Sequence, residues 1–252
     1  MSVFRALLLR GLLAGLIAGL LAGAVGFVLG EPNIDLAIAL EEQAAASVGG
    51  HDNEAPLVSR DGQRFGLFLA MALFGTVAGG LLAIAFALLR HKLGVRDDAT
   101  AALGLTGAAF LGAVLVPFGK YPTNPPAVGD PSTVDERTVA YLLLVALGLL
   151  AVCGGVAAYR AASERMVAPL RIAVGVGVFL LTVGVAYAVL PPAAAAPDGF
   201  PANLLWDFRV SALAMHLTLW LALALAFATL TGRLGRQLTS ANVERTQVST
   251  LR

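Results

Sequence analysis

The side chains of this sequence that could do chemistry are few, and they gather in three segments. The first begins Gly30-Glu31-Pro32-Asn33-Ile34-Asp35, runs on to Glu41-Glu42, and is followed by His51-Asp52-Asn53-Glu54. Its Ala, Ile and Leu content favours a short helix, on which Glu31, Asp35 and Glu42 fall at i, i+4 and i+11 and share a face. Three carboxylates, with His51 and Glu54 beyond them, supply the oxygen and imidazole donors that a borderline divalent ion accepts. The plainer reading of the same residues is a solvated acidic face.

The second segment reads Lys120-Tyr121-Pro122-Thr123-Asn124-Pro125-Pro126-Ala127-Val128-Gly129-Asp130-Pro131. Its prolines remove backbone donors and bar helix formation, which leaves a stiff stretch. Two readings stand side by side: a rigid plug presenting Tyr121, Asn124 and Asp130, or a simple extended cap over helix ends. Lys120, Pro125 and Pro126 belong to either.

The third segment, Phe200-Pro201-Ala202-Asn203-Leu204-Leu205-Trp206-Asp207-Phe208-Arg209, leads directly into an apolar run. Trp206 and Phe208 have the character of interfacial anchors. Asp207 and Arg209 could pair with each other or with another helix. Seven residues after Arg209, on the same helical face and about two turns deeper, comes His216. An imidazole at such depth is a candidate metal ligand or proton relay, and a helix-to-helix hydrogen bond explains it too. Met215 adds little, since its soft thioether points about 100° away.

What is missing narrows the chemistry. Neither lysine, Lys92 or Lys120, ends a Gly-rich phosphate loop, so the chain carries no ATPase motif of its own. His-Glu-x-x-His and Gly-x-Ser-x-Gly are absent as well, which leaves little support for an enzyme. The single cysteine, Cys153, permits no intrachain disulfide. With 17 basic and 16 acidic residues, there is no broad basic field for nucleic acid.

The elements that hold these segments are apolar helices. Of the 252 residues, 58% are hydrophobic and only 13% charged, and the mean hydropathy of +0.81 lies outside the range of soluble domains. Six runs, at about 11–29, 66–89, 101–118, 139–158, 172–190 and 210–230, approach the roughly 20 residues a helix needs to cross a bilayer. None has the two-residue alternation of a membrane β-barrel. The expected fold is therefore all-α: one polytopic transmembrane domain over 1–230, a bundle of about six helices, with a tail at 231–252 that lacks fixed structure. The first run is too long for a secretory signal and reads as an uncleaved helix.

Charge sets the orientation. The N-terminus, the second and fourth connections and the tail hold twelve of the basic residues; the other three loops, 30–65, 119–138 and 191–209, hold only Arg60, Arg64, Lys120, Arg137 and Arg209. Those three loops also carry twelve of the acids. The positive-inside bias then puts both termini in the cytoplasm and the three acidic loops outside, where function is to be sought.

Gly11, Gly15, Gly19 and Gly23 repeat every fourth residue, which strips one side of the first helix of bulk and lets another helix approach closely. Gly75 and Gly79, and Gly104, Ala108 and Gly112, continue the pattern in the second and third runs. A weak threefold repeat is visible too. Each outer loop follows a helix ending near a proline (Pro32, Pro117, Pro191) and returns through an arginine (Arg64, Arg137, Arg209), which hints at three related hairpins.

Four motifs together carry a resemblance: Gly30-Glu31-Pro32, Val58-Ser59-Arg60-x-x-Gln63-Arg64, Val116-Pro117-Phe118-x-Lys120-Tyr121-Pro122-x-Asn124-Pro125-Pro126-Ala127-Val128-Gly129, and Phe200-Pro201-x-x-Leu204-Leu205-Trp206-x-Phe208-Arg209. They resemble the CbtA family of predicted cobalt transporter subunits, from Arg5 to about Leu230, with the tail outside the likeness. The resemblance implies a multi-pass protein of the bacterial inner membrane that takes up Co²⁺ for cobalamin synthesis, the ion being transported and not a bound cofactor. It also implies a small one-span, histidine-rich partner of the CbtB type, which would supply imidazoles that this chain's three histidines cannot. The family is described with five spans, one fewer than counted here. Two alternatives stay open: an accessory or assembly protein that docks a partner through its outer loops, and a permease for another small solute such as Ni²⁺.

The orientation is testable with Cys153 replaced by alanine. A cysteine introduced by Ser47→Cys should react with an impermeant thiol reagent in intact spheroplasts, whereas one introduced by Ser249→Cys should react only after lysis.

Overall fold

The computed structural model describes residues 3–47, 58–95, 97–126, 128–197 and 199–250; of these, the side chains of 44, 45, 47, 131 and 234–250 are left aside. Helix is the only regular structure among them. Helix α1 (Val3–Val25) passes through a π-helical turn, Gly26–Gly30, into α2 (Glu31–Ser47). Then come α3 (Arg60–Leu89), α4 (Asp98–Phe110), a second π turn (Leu111–Leu115), α5 (Val116–Lys120), α6 (Val134–Ala161), α7 (Ala168–Val189) and α8 (Ala202–Thr250).

Six helical stretches are long and apolar enough to span a membrane. They enclose five of the six apolar runs and overshoot them at the polar ends, because hydropathy registers the lipid-facing part of a helix and not its capped termini, while the fifth run, 172–190, ends one residue past Val189. The shortest run, 101–118, lies inside a stretch from Asp98 to Lys120. The helix expected after Gly30 continues the first span instead of standing apart from it. Pro32 is the second residue of α2, where a missing N–H costs little, and the π turn before it takes up the change of register. Pro117 follows the other π turn in the same way. The last helix runs on to Thr250, through the segment whose sequence suggests no fixed structure; no proline interrupts it there.

The spacing Ser59-x-x-Gly62-Gln63 has a local explanation. The Ser59 hydroxyl accepts a hydrogen bond from the Gly62 amide at 3.2 Å and so caps α3. Arg60 donates to the Gln63 side chain at 2.7 Å, and Gln63 reaches back to the Val58 carbonyl.

The residues divide into two compact units. The first comprises 1–28, 56–107 and 214–252. Its centre is the seam between α1 and α3: a Cβ on Gly11 would overlap the Gly79 carbonyl, one on Gly15 the Gly75 carbonyl, and one on Gly19 the Met71 carbonyl. Gly23 meets a side chain instead, with Phe68 Cδ1 at 3.2 Å from its would-be Cβ. Leu219, Leu223 and Phe227 of α8 are fully buried in the same cluster, and Phe227 meets Phe86 edge to face at 5.5 Å. Arg90 and Asp98, 3.4 Å apart, bracket the turn between α3 and α4.

The second unit comprises 29–55 and 108–213. Here Gly112 faces Gly148 and Gly155 faces Gly175, again backbone against backbone. Val116, Leu144 and Ala186 form its buried apolar centre, with Phe179, Tyr187 and Tyr121 around them. Gly104 of α4, which belongs to the first unit, is by contrast exposed with open space where a Cβ would go.

These contacts give opposite expectations for two glycines. Gly15→Leu should weaken the α1–α3 seam by about 1–3 kcal/mol or more, since backbone cannot retreat as a flexible side chain can. Gly104→Ala should be neutral or stabilising by up to about 1 kcal/mol, through helix propensity alone. Unfolding of the purified protein in mixed micelles checks both.

Candidate functional site

The proline-rich segment is anchored at its start by hydrogen bonds to helix-end carbonyls. Lys120 Nζ donates to the Tyr187 carbonyl at 2.7 Å, in the last turn of α7, where carbonyls lack intrahelical partners. The ammonium also lies 5.5 Å and 5.8 Å from the Tyr121 and Tyr187 ring centroids. Tyr187 Oη donates to the Val116 carbonyl at 2.6 Å, and Tyr121 Oη to the Pro191 carbonyl at 2.7 Å. Desolvation pushes the Tyr121 hydroxyl above its usual value, which keeps it protonated as a donor. A Cβ on Gly119 would sit 2.5 Å from Tyr187 Oη and would push that hydroxyl from its present position.

Farther along, Pro125 is fully buried and Val128 nearly so, with the Val128 amide turned back to the Pro125 carbonyl at 3.3 Å. This is a folded-in insert more than a loose cap. At Gly129 the backbone takes φ +110°, and a Cβ there would overlap Arg137 Nη1. Arg137 Nη2 donates to the Asp130 carbonyl at 3.0 Å. The Asp130 carboxylate accepts from the amide and hydroxyl of Ser132, at 2.8 Å and 2.7 Å, which with the nearby Arg137 charge holds its pKa below the ordinary value. Asp130 therefore shapes a turn.

Asn124 supplies the second anchor. Its side-chain oxygen accepts from Arg209 Nη2 at 2.9 Å, which ties the middle of the segment to the first turns of α8. The expected alternatives for Arg209 resolve toward another element and away from Asp207. Residues two apart on a helix do not face each other, and Asp207 is exposed. Between these residues lies a cavity of about 350 Å³, lined by Tyr121, Asn124, Arg137, Thr138, Tyr141 and Arg209 together with prolines, valines and alanines.

A further pair joins α2 to α8. Asn33 Nδ2 donates to Ser211 Oγ at 3.1 Å, and the Leu29 carbonyl lies 2.9 Å from the same hydroxyl and 3.0 Å from Asn33 Nδ2. Glu31, one turn of chain away, is 6% exposed, a buried carboxylate at the start of α2. Asp35 and Glu42 are exposed on that helix; His51 and Glu54 lie outside the described residues. Among the described residues, no group of three or more His, Cys, Asp or Glu could hold a metal ion.

Trp206 is 67% exposed, as an interfacial anchor would be. His216 belongs to the first unit, where its Nδ1 is buried without a hydrogen-bond partner among the described residues. Met215 Sδ lies against Gly26, at 2.8 Å from where its Cβ would be, which makes Met215 a packing residue.

Sequence reasoning marked Arg137 only as a loop-return charge and passed over Tyr187, Tyr141, Asn33 and Ser211. The available signal was position: a hydroxyl or amide within a turn of a helix end, where carbonyls need donors.

Asn124→Ala should free the Arg209 guanidinium and lower stability by about 1–3 kcal/mol, the range for a charged donor left without its acceptor. Tyr187→Phe should cost about 1 kcal/mol. Thermal unfolding of the two variants and their combination measures both, and near-additivity is expected because they share no partner.

Compared with known proteins, the chain matches one family model, described as "Probable cobalt transporter subunit (CbtA)", over residues 4–232. No curated protein and no solved structure gives a match.

Proposed function

Because this chain belongs to the CbtA family of cobalt transporter subunits, we propose that it is the multi-pass subunit of a Co²⁺ importer of the bacterial inner membrane, feeding cobalamin synthesis. The family match across nearly the whole chain carries the reading. Six helices able to span a membrane, and a family described as a probable transporter subunit, support a multi-pass membrane protein whose role is transport.

In this proposal the acidic loop at 30–65 faces outward, by the charge bias of the connections, and raises the local concentration of dications. Glu31, in the second unit, and His216, in the first, are each suited to bind the ion directly, at separate points of its path. One is a buried carboxylate and the other a membrane-embedded imidazole with an unused ring nitrogen. Asp35, Glu42, His51, Glu54, Asp130 and Asp207 act at longer range, through charge. A hydrated dication gives up its water only against several donors, so the remaining ligands are assigned to a second chain, a one-span histidine-rich partner. The membrane potential drives entry, at about 2.3 kcal/mol per charge per 100 mV and about twice that for a dication.

The test is uptake of Co²⁺, with Ni²⁺ as competitor, into vesicles holding this chain with and without the one-span partner under an imposed potential. Uptake should require both chains and fall at least about tenfold in Glu31→Ala and His216→Ala, the loss expected when one charge-assisted ligand contact disappears. Uptake that survives both substitutions, while changes in the 119–138 loop abolish partner binding, would establish the accessory role instead. Preference for Ni²⁺ would reassign the substrate.

A further inference from the structure

The cavity of the second unit has the wrong sign for a bare metal ion. Arg137 and Arg209 both line it, and no Asp or Glu does. Each guanidinium is held in place by neutral groups. Arg209 Nη2 bonds to the Asn124 side-chain oxygen at 2.9 Å, and its Nε is buried without an acceptor among the described residues. Arg137 bonds to backbone carbonyls, that of Asp130 at 3.0 Å and that of Thr133 at 3.4 Å, and packs over the left-handed Gly129. The Asp130 carboxylate, which feels the Arg137 charge, spends its hydrogen bonds on Ser132.

Two cations aimed at one partly enclosed space repel each other, and repulsion grows as water is excluded. Hydrogen bonds to neutral groups fix their positions while the Asp130 charge offsets part of that of Arg137, and the donors of the two planar forks not used in those bonds remain for an anion. Such forks match the oxygens of a phosphate group in pairs. Tyrosine faces and proline rings supply the apolar walls that small-ligand cavities of this size commonly have.

We propose that this cavity is a binding site for a phosphate-class oxyanion, gripped by Arg137 and Arg209. Two positive charges are met more fully by a phosphate group than by one carboxylate. The group can come from free phosphate or from the headgroup of an anionic phospholipid, and either source uses the same two guanidiniums. The site is independent of metal transport and stands whether or not Co²⁺ is the cargo.

The full-length protein in nanodiscs of phosphatidylcholine alone should unfold at a higher temperature with inorganic phosphate than with sodium chloride at matched ionic strength, if the source is soluble. In phosphate-free buffer, discs containing phosphatidylglycerol should give the same stabilisation, if the source is lipid. In either case Arg137→Gln and Arg209→Gln should weaken the response at least about tenfold in concentration, while Arg5→Gln, in the other unit, should leave it intact. Thr138→Glu, at an exposed position on the cavity wall, introduces a carboxylate without removing either anchor and should abolish the response. A protein that responds to neither source, or a response undiminished in Thr138→Glu, would overturn the site.

Discussion

Direct contact between helix backbones is the constraint on which both halves of this protein rest. In a bilayer, lipid tails are as apolar as leucine, so burying apolar side chains offers helices little reason to associate. What remains is close van der Waals approach, and glycine permits it. Gly11, Gly15 and Gly19 of α1 lie on the backbone of α3 in the first unit. Gly112 against Gly148, and Gly155 against Gly175, repeat the device in the second. Arg137 lies on α6, one of the helices paired in this way.

Onto this frame the second unit adds a polar lattice concentrated at helix ends. Lys120, Tyr121 and Tyr187 each donate to a carbonyl at or beside a helix terminus, and Asn124 and Arg209 join a loop to α8. The logic is that of any low-dielectric setting: a buried acceptor left empty is expensive, so side chains with long reach are placed where the backbone runs out of partners. The prolines serve the same arrangement. Pro117 and Pro125 are fully buried, and the segment they stiffen can be pinned at few points and still keep its shape.

Much of the fold was legible in the sequence, and the reason is physical. Spans announce themselves because lipid demands some twenty apolar residues in a row, and the α1 seam because glycine at every fourth position has little other use. The continuation of α1 into α2 was not legible, since a glycine and a proline normally end a helix; the π turn that carries the chain across them leaves no mark in composition. Arg209 illustrates the limit for the site. Its partner, Asn124, lies 85 residues away in sequence, and only packing brings them together. The acidic residues show the converse: Glu31 and Asp35 share a helix, yet one is buried and the other exposed, a difference set by neighbours that the local sequence does not name.

The proposed division of labour sets metal recognition apart from the arginine-lined cavity and assigns part of the metal's ligand set to a second chain. X-ray absorption at the cobalt edge, on the complex of this chain with the proposed one-span partner, examines that division directly. Imidazole nitrogen in the first coordination shell is expected, with one such ligand lost in His216→Ala and none lost in Arg137→Gln. A shell of water oxygens alone, or one indifferent to His216, would contradict it.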